Sequence, residues 1–221
     1  MLTNEAIWLG KQSEKIDLER LSPLLNLGSQ SAVFQKQTPW IENFFLGPLK
    51  ARGIKVINTD LQDAPGVDLV GDLLDPTFNQ KIAQLGCRSV ICCNLLEHVL
   101  NKEAVAKAIT EAIPPGGYIF ASCPKKFPHH PDPIDNGYRP TPAELAEIFP
   151  DTIMIEGEVV LCETGWEYLR HGPRNPILKI ARIALPFVKP RGWVQTMRNL
   201  SWSTRRFAAT CVILKKHCLK P

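Results

Sequence analysis

The sequence predicts an α/β fold with a mostly parallel sheet and helices on both faces. Three observations predict it. Short apolar runs of four to six residues recur along the chain, and most end in Gly, Asp or Asn. Between them lie segments with apolar residues at helical spacing. Gly and Pro mark the handovers, as at Gly53 and Pro114-Pro115. Strands alternating with helices give right-handed crossovers and a parallel sheet.

The elements follow in order. Leu24–Leu27 reads as the first strand and opens at Gly28 into the small polar residues Ser29, Gln30 and Ser31. Trp40, Ile41, Phe44, Phe45 and Leu49 fall on one helical face, closed by Gly53. Lys55–Asp60 is the second strand, Val67–Val70 a shorter third and Ser89–Cys93 the fourth. Glu103–Ile113 reads as a helix stopped by the two prolines. The fifth strand, 116–124, is entered through a glycine turn. Thr141–Phe149 carries an N-cap Thr, Pro at the first turn and Glu144 at the capping-box position. Glu158–Cys162 and Ala209–Lys215 are two late strands.

Composition narrows the class. At 221 residues the chain suits one domain, and 44% hydrophobic with 22% charged residues is ordinary for a soluble protein. The first twenty residues lack the apolar core of a leader, and no run of 18 apolar residues suggests a membrane span. Seven cysteines in odd number, with no C-x-x-C pair, argue against a disulfide framework or zinc site and for a reducing cytoplasm. Charge is uneven. Residues 1–167 hold 14 Lys and Arg against all 22 Asp and Glu, a net of −8, whereas 168–221 hold 12 basic residues and no acid. An acidic body with a basic end is the pattern of an interaction surface.

In such sheets ligands bind beyond the carboxyl ends of the strands, at the switch point of the strand order. The residues to watch are therefore Gly28–Ser31, Asp60, Asp72, Asn94–His98 and Pro124–Tyr138. Gly28 permits close backbone approach to a ligand. Asp60 suits the two hydroxyls of a ribose, and Asp72 suits an adenine amino group; each alone is more often a solvated turn residue or a helix cap.

The stretches LLNLGS, VINTD, VGDLLD, CCNLLEHV, IPPGGYIFASCP and RPTPAELAEIF, spanning roughly residues 20–150, resemble a small class I S-adenosylmethionine-dependent methyltransferase of the type 11 kind. The resemblance implies a Rossmann-like sheet of seven strands with the last antiparallel, in one domain over 1–221 carrying a basic insertion at about 168–206. It implies S-adenosylmethionine as cofactor. Asn26, Gly28 and Ser29 would line its methionine part and Asp60 hold the ribose. Asp72 with Leu73 would flank the adenine, and Asn94 would sit beside the sulfonium. The first loop departs from the pattern. Asn26 stands where the family has an acid, and Gln30 where it has a second glycine. If the backbone at Gln30 needs φ > 0, a non-glycine residue costs about 1–2 kcal/mol.

Methyl transfer to a hydroxyl benefits from a base, and His98, His129 and His130 are the candidates. The loop KKFPHHPDPIDNGYRP, 125–140, has three readings: a Pro-stiffened loop with exposed histidines, the carrier of that base, or a metal site from His129, His130, Asp132 and Asp135. Glu97 reads as a cap for nearby amides, with the His98 ring packed against the loop. Tyr138 and Arg139 would order the loop or meet an acidic substrate. In the basic end, Asn175 and Pro176 start a helix over Ile177, Ile180, Ala181 and Ala184, and Trp193, Met197, Leu200 and Trp202 continue the pattern. That end is a core-packing pair with a solvated basic face, or a peripheral membrane surface on which each cation contributes about 1 kcal/mol. Nucleic acid is the least favoured partner, since no RNA-binding signature is present.

These expectations converge on a cytoplasmic enzyme that methylates a small-molecule or saccharide-type acceptor at oxygen. The alternative is a non-catalytic module of the same fold serving as a partner subunit or membrane-associated scaffold.

Overall fold

The computed structural model describes residues 1–130, 134–171 and 202–218. Seven strands form one sheet in the order β3-β2-β1-β4-β5-β7-β6. The strands are β1 Leu24–Leu27, β2 Val56–Asp60, β3 Leu69–Val70, β4 Ser89–Cys93, β5 Tyr118–Lys126, β6 Thr152–Thr164 and β7 Arg206–Lys216. The pairs β1–β2, β2–β3, β1–β4 and β4–β5 are parallel, whereas β7 runs antiparallel to both β5 and β6. The expected seven-stranded sheet with an antiparallel last strand is therefore present.

Adjacent strand residues point to opposite faces, and the two cores follow from that alternation. Leu25, Val90, Ile119 and Val212 pack on one face with Phe78 and Ile82 of α5, Pro76–Gln84, and with Val105 and Ile109. Leu24, Ile91, Phe120 and Ile213 pack on the other with Leu9, Leu21, Phe45 and Leu49. Buried Cys92, Cys123 and Cys211 serve as small apolar side chains within the central strands. A third cluster, with Phe207, Cys211 and Val160 joined by Phe127, Tyr168 and Trp202, closes the β6–β7 end.

Several boundaries shift. The fifth strand starts at Tyr118 because Gly116 and Gly117 make the turn, Gly116 with φ of 80°. β6 spans 13 residues rather than the five expected. Its Ile153, Met154 and Ile155 lie at an exposed edge, so burial gives no alternation to read there. The helix expected over 103–113 is α6, Lys102–Glu111, capped by the Asn101 side chain. The capping box at Thr141 and Glu144 forms as the sequence predicts and starts α7, Pro142–Glu147. The helical face from Trp40 to Leu49 is a continuous helical run, α3 Pro39–Ile41 and α4 Gly47–Ala51 joined by a π-helical turn, Glu42–Leu46.

Two helices that the sequence does not announce matter most for the site. α1, Thr3–Glu14, packs across the sheet face, and α2, Ala32–Gln37, follows the first loop. Gly10 of α1 lies so close to the π turn that a Cβ there would sit 2.0 Å from the Phe44 carbonyl oxygen. That approach brings the start of α1 over the carboxyl ends of β1 and β4. The basic helix expected from Asn175 and the continuation through Leu200 lie outside the described residues. Among the described residues no helix is long and apolar enough to cross a membrane.

Candidate active site

A cavity of about 540 Å³ opens at the carboxyl ends of β1 and β4, where the strand order reverses. Its lining includes Asn26, Gly28, Ser29, Gln30 and Asn94, and also Glu97, His98, Phe127, His130 and Tyr168. Met1 and Leu2, ahead of α1, also line it.

The first loop turns through two left-handed residues, Gly28 at φ 62° and Gln30 at φ 61°. The Gln30 side chain is exposed, so it does not fill the loop's interior. Its main-chain N–H donates to Asp60 Oδ2 at 2.9 Å, and the Gln62 N–H donates to Asp60 Oδ1 at 3.1 Å. Each Asp60 oxygen keeps acceptor capacity beyond its one amide. Ser29 is buried with no hydrogen-bond partner for its Oγ, a donor and acceptor left unused in the cavity wall. Ser31 caps α2, its Oγ accepting from the Phe34 N–H at 3.3 Å. Asn26 pairs sideways, its Nδ2 donating to Asn58 Oδ1 on β2 at 3.0 Å.

Asn94 follows β4 at φ 51°, a conformation Asn tolerates better than most residues. Its Nδ2 donates to Glu5 Oε1 at 2.8 Å. Glu5 is fully buried; its Oε1 also accepts from Ser122 Oγ at 2.5 Å, and its Oε2 accepts from the Leu2 N–H at 2.8 Å. A carboxylate from α1 thus fixes the residue expected nearest the reacting carbon. Locally Glu5 is only the third helical residue accepting from the Leu2 amide; its partners Asn94 and Ser122 lie 89 and 117 residues away, so no local pattern marks its role at the site.

The turn after β4, Leu96–His98, and the loop after β5 are stapled together. Asn136 Nδ2 donates to the Leu96 and Val99 carbonyls, both at 2.8 Å, and the Asn136 N–H donates to the Glu97 carbonyl at 2.9 Å. Arg139 grips Asp135 with two nitrogens at 3.1 and 2.6 Å, while the Gly137 and His130 amides donate to the same carboxylate. These donors hold the Asp135 carboxyl well below the usual carboxylate range, against the opposing effect of burial. Arg139 therefore orders the loop, as one of its two readings expects. Asp135 has its acceptors filled and is not a free ligand, which corrects the metal set read from the sequence; Asp132 lies outside the described residues.

The staple sets His98 and His130 edge to face, ring centroids 5.1 Å apart. His98 Nδ1 meets the Ile134 carbonyl at 2.5 Å and His130 Nδ1 the Pro128 carbonyl at 3.1 Å. Burial pushes the His130 imidazole down from its ordinary value. His129 is exposed and is not among the cavity-lining residues. Glu97 departs from its expected role. It caps no amide: the side chain is fully buried, neither oxygen has a hydrogen-bond partner, and Oε1 stands 3.7 Å from His98 Nε2. Burial pushes its carboxyl up to about 8, only partly offset by nearby positive charge from the N-terminal ammonium and Arg139.

Of the cofactor residues expected from sequence, Asn26, Gly28, Ser29 and Asn94 come together around the cavity, and Asp60 braces the loop that lines it. Asp72 and Leu73 are not among the lining residues. The Asp72 Oδ1 accepts from the Leu74 N–H at 2.9 Å, and Leu73 packs into the core beside Phe78.

None of the protein-family models matches the chain, and no curated protein matches it by sequence. Solved structures do match. A Galdieria sulphuraria protein assigned as a sarcosine dimethylglycine methyltransferase superposes with a TM-score of 0.57 at 12% identity, covering 96% of this chain and 84% of that one. An S-adenosylmethionine-dependent methyltransferase from Anabaena variabilis gives 0.53 at 13% identity, covering 96% and 83%. Coclaurine N-methyltransferase bound to N-methylheliamine and S-adenosylhomocysteine gives 0.54 at 15% identity, covering 95% and 69%. Strand order, the antiparallel β7 and these likenesses together give the chain the fold of the class I S-adenosylmethionine-dependent methyltransferases.

Proposed function

We propose that this chain binds S-adenosylmethionine at the carboxyl ends of β1 and β4 and methylates a small-molecule or saccharide-type acceptor at oxygen. The observation that carries this reading is the lining of one cavity, which brings a backbone-rich loop with Ser29 and Gln30 together with Asn94, two imidazoles, Phe127 and Tyr168.

The residues present fit the cofactor. The unused Ser29 hydroxyl and the spare acceptor capacity of Asp60 suit an amino acid and a ribose. When bound, S-adenosylmethionine supplies a methyl group activated by a sulfonium. The chain's own work is positioning: Asn94, fixed by Glu5, marks the end of β4, and Phe127 and Tyr168 exclude water beside the acceptor. His98 faces a carbonyl through Nδ1, so that nitrogen carries the proton and Nε2 is left to accept one from an attacking hydroxyl. The acceptor O–H bond breaks as the new O–C bond forms, and the proton passes to Nε2.

The left-handed Gln30 bears on the alternative of a non-catalytic module. Its strain is already present in the folded chain, balanced by the bond to Asp60, so cofactor binding does not have to impose it. Calorimetric titration with S-adenosylmethionine and S-adenosylhomocysteine tests the reading. Micromolar binding that Asp60→Ala weakens at least tenfold is expected. Folded protein that gives no heat up to millimolar ligand would favour the non-catalytic module instead.

A further inference from the structure

Methyl transfer uses the imidazole side of the cavity only for one proton, yet three ligand-type side chains converge there. One ligand atom from each of Glu97, His98 and His130 lies within 4.8 Å of the other two. Glu97 Oε1 and His98 Nε2 are 3.7 Å apart, too far for a hydrogen bond. The side chains of His98 and His130 are only 21% and 33% exposed, and that of Glu97 1%.

Two features suit these groups to a cation. First, each imidazole is oriented through Nδ1 by a main-chain carbonyl, of Ile134 for His98 and of Pro128 for His130, and Asp135 Oδ2 stands 3.3 Å from His130 Nδ1. A ring nitrogen facing such oxygens carries the proton, which leaves Nε2 with the lone pair. Metal-binding histidines are held by outer partners of this kind. Second, both Glu97 oxygens are buried without a hydrogen-bond partner. Burying a polar group in this way is costly unless something compensates it. A divalent cation would.

We propose that Glu97, His98 and His130 form a divalent metal site of two histidines and one carboxylate at the acceptor end of the cavity. Imidazole with carboxylate suits zinc, manganese, cobalt or ferrous iron better than the all-oxygen sites of magnesium and calcium. Bonds of about 2.0–2.2 Å place ligand atoms roughly 3.0–3.5 Å apart. The adjacent pair Glu97–His98 is nearly at that spacing. Closing the site therefore falls mainly on His130, which sits in a loop rather than in the sheet. Three protein ligands leave positions open toward the cavity. If the methyl-transfer reading holds, His98 Nε2 would be occupied by the ion and could not take the proton; an acceptor hydroxyl coordinated there would be more acidic and would release its proton to solvent before attack.

The test uses the untagged full chain stripped with a chelator. Cobalt(II) is titrated and followed by visible absorbance, then displaced with zinc; manganese is titrated by calorimetry. One cobalt per chain with micromolar affinity is expected, weakened more than tenfold by His130→Ala and by Glu97→Gln. The exposed His217 serves as control, and His217→Ala should leave binding unchanged. Because Glu97 is buried, each variant is checked by circular dichroism, and His130→Ala decides the matter if Glu97→Gln fails to fold. Absence of cobalt binding, or binding that His130→Ala leaves intact, overturns the site. S-adenosylhomocysteine is titrated into the same samples. Metal bound without S-adenosylhomocysteine would sink the methyl-transfer reading and leave the site standing, and the converse would do the opposite.

Discussion

Gln30 donates its main-chain N–H to Asp60 Oδ2 at 2.9 Å from a left-handed backbone, φ 61°, where glycine would be unstrained. The carboxylate on β2 thereby holds the first loop in its turned form. A left-handed non-glycine residue costs about 1–2 kcal/mol, while glycine costs roughly 0.5–1 kcal/mol in chain entropy. Gln30→Gly should therefore raise unfolding stability by about 0.5–1 kcal/mol, read from the urea midpoint. Gln30→Val, β-branched at a positive φ, should lower it.

Glu5 should matter more than any residue of the first loop. It is fully buried and accepts from Asn94, Ser122 and the Leu2 amide. Hydrogen bonds to a charged group contribute about 1.5–3 kcal/mol each when broken singly. Glu5→Ala should cost about 3 kcal/mol or more in urea unfolding. It should also weaken S-adenosylhomocysteine binding by releasing Asn94, whereas Glu5→Gln should do less of both. Unchanged ligand affinity in folded Glu5→Ala would show that Asn94 needs no anchor.

The contrast between Gln30 and Glu5 says what was legible in the chain. The sheet was readable because Leu24-Leu25, Val90-Ile91 and Ile119-Phe120 are apolar on both faces, as strands covered on both sides must be. The strand-end positions Gly28 and Asn94 were readable because a parallel sheet fixes where ligands bind. Glu5 and the buried state of Glu97 were not. A carboxylate in a polar-looking helix, NEAIWLGKQSE, or in LLEH, gives no sign of its burial until distant segments close over it. The staple by Asn136 was likewise hidden, because side-chain to main-chain bonds across 37 to 40 residues leave no periodicity.

Glu97 should give the metal-stripped chain an inverted pH profile. Its folded pKa is raised from 4.5 to about 8 by burial, with the N-terminal ammonium, Glu5 and Arg139 as the charged groups that act on it and His98 beside it. Its contribution to stability is fully present below about pH 4.5, because the proton is then held in both states. It is lost as pH rises through 8, because the unfolded chain releases the proton first. At 1.36 kcal/mol per unit the loss is about 5 kcal/mol. His130, lowered by burial, works in the opposite sense near its ordinary value, so the difference between parent and variant isolates Glu97. Glu97→Gln should flatten the fall between pH 4.5 and 8 and be the more stable protein at pH 9. Parallel urea-derived stability curves for the two would show that the carboxyl titrates normally.

Gly10 should be the least replaceable position in α1. A Cβ there would stand 2.0 Å from the Phe44 carbonyl oxygen and 3.2 Å from its carbon, and both are backbone atoms that cannot rotate away. Overpacking of this kind costs typically 1–3 kcal/mol, occasionally more. Gly10→Ala should sit at or above the top of that range, even though alanine favours helix by about 1 kcal/mol over glycine. The shift would propagate to the site, because Met1 and Leu2, just ahead of this helix, line the cavity, and Glu5 in its first turn anchors Asn94. Gly10→Ala is therefore expected to lower both the urea midpoint and the affinity for S-adenosylhomocysteine. A variant that loses stability but binds the ligand as before would separate the seating of α1 from the shape of the site.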